Sequence, residues 1–163
     1  MNDIQALAML AETVPGATTL ARRAQIAWFE RALSEYAAAQ GLPQVDLPLK
    51  HTFTKGAYVR EITLPAGAVI VGKLHRHEHL NFISRGDVTV VTEAGGVERL
   101  RGPVTMISPA GTKRVVYVHE ETVWTTVHVT DETDLKKIEA ETIAPNYTAL
   151  GLAEPSTLSI GGC

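Results

Sequence analysis

The chain has 163 residues, a length at which a single domain burying roughly 68–70% of its unfolded surface needs no disulfide or metal staple. Its formal net charge of −3 leaves no basic footprint for a polyanion, so nucleic acid is not an expected partner. The single cysteine, Cys163, cannot close an intrachain bridge; no run approaches the ~20 apolar residues of a membrane span; and the opening MNDIQALAML lacks the basic cluster of a secretory signal, so a cytoplasmic protein without membrane contact is expected.

Residues 1–50 have a helical period and are expected to form an extension. Ile4, Leu7, Ala8 and Leu10 recur at helical spacing after the capping candidates Asn2 and Asp3, and Pro15 with Gly16 ends this first helix. A longer helix follows, capped by Thr18 or Thr19 and stopped by Gly41 and Pro43. Ile26, Phe29, Leu33 and Tyr36 line its apolar face, and Arg22, Arg23, Glu30, Arg31 and Glu35 its polar one. Such a helix packs on its own domain or on a partner subunit.

From Lys50 the period shortens. YVREITL, AVIVGKLH, HLNFISR, DVTVVT, VERLR, VTMIS, RVVYV and TVWTTVHVT are rich in β-branched and aromatic residues. Turns are expected between them at Pro65–Gly67, Arg85–Asp87, Glu93–Gly96, Gly102–Pro103, Pro109–Gly111 and His119–Glu121. Strands repeating every 8–12 residues or so predict a mainly β domain, a sandwich or barrel, over residues 51–130. Residues 131–163 return to a short helix, DETDLKKIEAETI, with Thr133 as its cap and Leu135 and Ile138 on one face, followed by a loosely ordered tail.

KLHRHEHLNFISRG, Lys73 to Gly86, concentrates the chemistry: it holds three of the six histidines within five positions. Strand alternation puts Lys73 with His75 on one face, and His79 with Asn81 opposite Leu80 and Phe82. If Arg76–Glu78 turns, His75 and His79 meet, with His77 at the rim. In the last strand Trp124, Thr126 and His128 share a face, so His128 is available as a third imidazole. Imidazole is a common transition-metal ligand, and a solvated histidine-rich surface is the plainer alternative. His51 stands alone before the strands, Lys113 is read as surface, and Trp124 and Tyr117 are read first as packing residues.

Gly67, the run His75-x-His77-x-His79, Gly86, and then Pro109-Ala110-Gly111 with Arg114 three places on resemble the two sequence motifs of the cupin superfamily, over about residues 57–130. The phrases GKLHRHEHLN, GTKR and VWTTVH also resemble small cupin-like proteins of phage and prophage genomes, which would place the protein in a host cytoplasm. The resemblance implies a double-stranded β-helix, a cupin jelly-roll barrel, holding a divalent transition metal such as zinc, iron, manganese or nickel with three histidines and a glutamate. By the same resemblance those ligand positions fall on Lys73, His75, His79 and Arg114, so two are cations here.

Cations aimed at a dication oppose it and favour an anion. Either a shifted set, His75, His79 and His128 with His77 as a possible fourth, holds the metal, or the metal is lost and Lys73 with Arg114 grips a carboxylate or phosphate. Asn81 and Trp124 join Lys73 and Arg114 as ligand-binding candidates. The expected functions are therefore a metal-dependent protein, possible enzyme included, acting on a small acidic metabolite; a non-catalytic binding module; or an accessory jelly roll of a phage particle. A homodimer or higher homo-oligomer is expected in each case.

Overall fold

The computed structural model describes residues 18–42 and 45–155. In chain order they form α1 (Thr19–Ala39), β1 (Leu49–Thr54), β2 (Ala57–Leu64), β3 (Val69–Val71), β4 (His79–Thr92), β5 (Gly96–Arg101), β6 (Val104–Ser108), β7 (Arg114–His128) and α2 (Leu135–Thr142), then a 3-10 turn at Thr148–Leu150. The predicted helix before Pro15 and the residue Cys163 lie outside the described residues.

Every strand pairing is antiparallel, and two long strands organise the sheet. β7 pairs with β4 along nearly its whole length. Its first half also pairs with β3 and its second half with β2, while β4 pairs first with β6 and then with β5. Because neighbours change midway, the sheet folds into two facing layers: β1-β2-β7-β4-β6, and β3-β7-β4-β5. The fold is mainly β, a double-stranded β-helix with a helix before it and a short one after it.

The predicted turns at Arg85–Asp87 and His119–Glu121 are not turns. Both lie inside continuous strands, at the place where β4 and β7 bend together and their register slips. The side chains of β4 explain the misreading. His79, Asn81 and Ile83 face inward, then Val88 and Val90 do, so the inward set passes from odd to even numbers across one extra residue. A bulge breaks the alternation that a strand reading depends on, and its polar residues resemble a loop. AVIVGKLH contributes only Val69–Val71, and β1, in which His51 lies, was not among the predicted strands.

Between the layers Leu64, Ile83, Val88, Val90, Val116, Val118 and Trp124 form the main core. A second cluster lies outside the β3-β7-β4-β5 layer, where Ile26 and Phe29 of α1 cover Val91 and Val115. The apolar face of α1 is thus buried on its own barrel. Two assignments on this helix change: Tyr36 is exposed, and Arg23 is buried. Arg23 stacks 4.1 Å from the centre of the Tyr147 ring and donates to the Ala153 carbonyl at 2.7 Å. Lys113, read as surface, is largely covered by α1 and ion-paired with Glu30 at 2.5 Å. Among the described residues no helix is long and apolar enough to cross a membrane.

α2 is capped by Asp134, not Thr133; its carboxylate accepts from the N–H groups of Lys136 and Lys137. The chain beyond α2 is tied to the histidine segment. The Arg76 N–H donates to Thr142, the Ala144 N–H donates to Leu74, and His75 forms an isolated antiparallel bridge with Ile143. Ala144 and Tyr147 then pack on Leu74, so the predicted loose tail begins as ordered, partly buried structure.

Candidate ligand-binding site

The inner face of the β1-β2-β7-β4-β6 layer changes polarity row by row, and the register defines the rows. Ile62, Trp124 and Ile83 are cross-strand partners in the deep row. His51, Arg60, Thr126 and Asn81 make the next, and Tyr58, His128, His79 and Ser108 the row at the mouth. Arg114 and Val116 of β7 and Ile70 of β3 face them, and Leu135, Ile138 and Glu139 of α2 cross the opening. Together they enclose a cavity of about 550 Å³.

Three imidazoles meet at its mouth. The ring centres of His75 and His79 lie 4.2 Å apart, those of His75 and His128 5.4 Å, and those of His79 and His128 5.1 Å. Arg76 and His77 form the bend that brings His75 round to His79, but β3 ends at Val71 and does not reach His75; the bridge to Ile143 holds His75 instead. The His77 side chain is exposed and does not line the cavity. Its carbonyl accepts from Nδ1 of His79 at 3.0 Å, which leaves Nε2 of His79 with the lone pair.

All three rings are held neutral. Burial, then repulsion from His79, His128 and Arg114, lowers His75 to about 3. Burial, followed by His79 and Arg60, lowers His128 to about 4, and burial lowers His79 as well. An unfolded histidine titrates near 6.5, so between that value and 3–4 the unfolded chain binds protons that the folded chain refuses. Stability is fully present above about pH 6.5 and falls as the solution is acidified toward pH 4, by on the order of a few kcal/mol. Glu93, raised by burial, acts in the opposite sense. Urea midpoints measured across this window should decline with falling pH in the native sequence and flatten in His75→Gln. A slope unchanged by that substitution would assign the effect elsewhere.

A hydrogen-bond chain links the deep row to the cation. Trp124 Nε1 donates to Asn81 Oδ1 at 2.9 Å and Thr126 Oγ1 to the same oxygen at 3.1 Å. Asn81 Nδ2 donates to Ser108 Oγ at 2.7 Å, and Arg114 Nη2 donates to that hydroxyl too. Both acceptor positions of Ser108 are thereby occupied. Burial lowers the pKa of Arg114, with Glu93 acting against it, and its guanidinium sits 5.5 Å from the centre of the Trp124 ring. Among the described residues no carboxylate pairs with Arg114.

Of the ligand-binding candidates, Asn81, Arg114 and Trp124 line the interior, whereas Lys73 stands exposed at the rim in an ion pair with Glu139. Reading the sequence missed His51, Tyr58, Arg60, Ser108 and Glu139. His51 Nδ1 lies 2.7 Å from the Tyr58 hydroxyl, so the lone histidine faces the cavity. Alternation within LKHTFT and YVREITL would have placed His51 and Arg60 together had β1 been recognised.

No family model matches the chain, and no curated protein matches it. Among solved structures, a salicylate 1,2-dioxygenase from Pseudaminobacter salicylatoxidans aligns with a TM-score of 0.50 at 12% identity, over 69% of this chain and 35% of that one. An RmlC-like cupin family protein with a double-stranded β-helix fold from Methanocaldococcus jannaschii aligns at 0.45 and 14%, over 58% and 86%. A cupin-2 domain protein from Shewanella frigidimarina aligns at 0.44 and 7%, over 58% and 92%. At such identities the likeness concerns the fold alone. The structural neighbours include proteins described as cupin and double-stranded β-helix proteins.

Proposed function

We propose that the barrel binds a small organic anion, with Arg114 as the anchor for its negative group. The observation that carries this reading is a half-buried guanidinium with no carboxylate partner among the described residues, directed into a cavity beside three neutral imidazoles. A cation withdrawn from water is costly unless an anion meets it. The apolar wall formed by Leu47, Ile62, Ile70 and Trp124 suits a hydrocarbon body, so the ligand is amphipathic.

The test is a thermal-shift screen of small carboxylates and phosphates against the native protein and Arg114→Gln. A binder present at a hundred times its Kd stabilises by about 2.7 kcal/mol, a shift of several degrees. Arg114→Gln should keep the fold and lose that shift. Equal shifts in both proteins would remove Arg114 from the site.

A second reading, in which His75, His79 and His128 hold a divalent transition metal, is favoured by one observation: His79 donates to the His77 carbonyl, the usual support of a ligating imidazole, with the His75 and His128 rings beside it. A metal there would supply Lewis acidity to a bound oxygen. Against it, no group of three or more His, Cys, Asp or Glu among the described residues is arranged to hold a metal ion, and each ring has a guanidinium acting on it, Arg114 on His75 and His79 and Arg60 on His128. Elemental analysis of the purified protein, and a visible spectrum with added cobalt, decide it. Stoichiometric metal lost on His79→Ala would support the second reading.

A further inference from the structure

Among the described residues the cavity is lined by two cations that no lining carboxylate offsets. Of the ionisable groups that line it, Lys73 and Glu139 neutralise one another at the rim. Arg60 and Arg114 remain, and neither pairs with a carboxylate among the described residues. They come from different places in the fold. Arg60 is in the middle of β2, opposite Thr126, and Arg114 opens β7, in the facing layer.

Both line the cavity together with His75, His79 and His128. One negative charge neutralises one of them. The other would stay half-buried and uncompensated, which the low dielectric of a walled cavity penalises.

From this juxtaposition we infer that the ligand is a dianion: a small, partly apolar molecule with two negative charges, one for Arg60 and one for Arg114. This rests on the anion-binding reading above and narrows it to a class, a dicarboxylate or a phosphate monoester. Arg60 is then a determinant of charge selectivity. Arg114 anchors any anion and Arg60 distinguishes two charges from one.

Calorimetric titration with phthalate, phenyl phosphate and benzoate at about pH 8, where the phosphate carries nearly two charges, tests this. At least one dianion should bind about tenfold or more tighter than benzoate. Arg60→Gln should remove that advantage and leave benzoate binding within about threefold, while Arg60→Lys should restore part of it. Phthalate alone gaining the advantage identifies a dicarboxylate site, and phenyl phosphate alone a phosphate site. Circular dichroism and the thermal midpoint of each variant separate lost binding from lost folding.

Benzoate binding as tightly as both dianions, or dianion binding indifferent to Arg60→Gln, overturns the two-charge inference and leaves the anion site standing through its Arg114 dependence. Failure of all three compounds to bind the folded native protein overturns both.

Discussion

Replacing Gly86 by alanine should cost about 4 kcal/mol of folding stability or more, and lower the thermal midpoint by about 10 °C. Gly86 lies in the β4 bulge at a φ of 109°, a conformation that side chains strongly disfavour. Geometry adds a second penalty. A Cβ built there would stand 2.1 Å from Thr122 Oγ1, 2.5 Å from Thr122 Cα and 2.7 Å from the Glu121 carbonyl. The last two are backbone atoms of β7 and cannot swing aside.

Gly96 supplies the control. Its φ of 73° is also positive, but an added Cβ would meet nothing within 4 Å. Gly96→Ala should therefore show the conformational penalty alone, about 1 kcal/mol. Urea unfolding of the two variants compares them directly, and equal losses would mean that the close approach to β7 is relieved by a small backbone movement. The functional consequence follows from the fold, because the bend at Gly86 is where β4 passes from the layer bearing His79 and Asn81 to the one covered by α1.

Asn81→Leu should cost about 3–5 kcal/mol, although it keeps the number and branching of the side-chain heavy atoms and adds apolar surface. Asn81 is 1% exposed, and its three hydrogen bonds run to Trp124, Thr126 and Ser108. Leucine would leave the buried indole N–H without an acceptor and the Thr126 hydroxyl without its partner. The penalty comes from the orphaned groups and not from lost packing, which gives a specific check. Adding Trp124→Phe removes the orphaned donor, so the double variant should be less destabilised than the sum of the two single changes. Strict additivity would show that the amide hub matters only through its shape. Because Ser108 accepts from both Asn81 and Arg114, Asn81→Leu should also weaken anion binding in whatever folded fraction remains.

Much of the barrel was readable from local pattern. YVREITL, VERLR and VTMIS became β2, β5 and β6 nearly as bounded by their turns, because a strand with one buried face records its exposure in alternate residues. The pairs His79 with Asn81 and Trp124 with Thr126 and His128 followed from the same period, and each is buried on one face. Local pattern failed where a strand does two things. β4 and β7 each serve both layers, and at the bulge the alternation changes phase, so the local period splits one strand into two with a loop between them.

The face of α1 was legible, but not the fate of Arg23, which is buried because Tyr147 and Ala153, over a hundred residues away, close over it.

The site divides in the same manner. A strand's own residues state which side chains share a face, and that information is carried by steric alternation within a few peptide units. It was enough to group the histidines, to set Lys73 beside His75 and to expect a barrel around them, whereas Arg114 was implied by the cupin resemblance. Which face turns inward, and what lies across the gap, depends on contacts between residues far apart in the chain. Arg60 opposite Thr126, His51 beside Tyr58, Glu139 neutralising Lys73 and Ser108 joining Asn81 to Arg114 are all of that kind. No local period encodes them, since each arises only when the two layers close and α2 crosses the mouth. The charge balance that selects the ligand is accordingly a property of the assembled cavity.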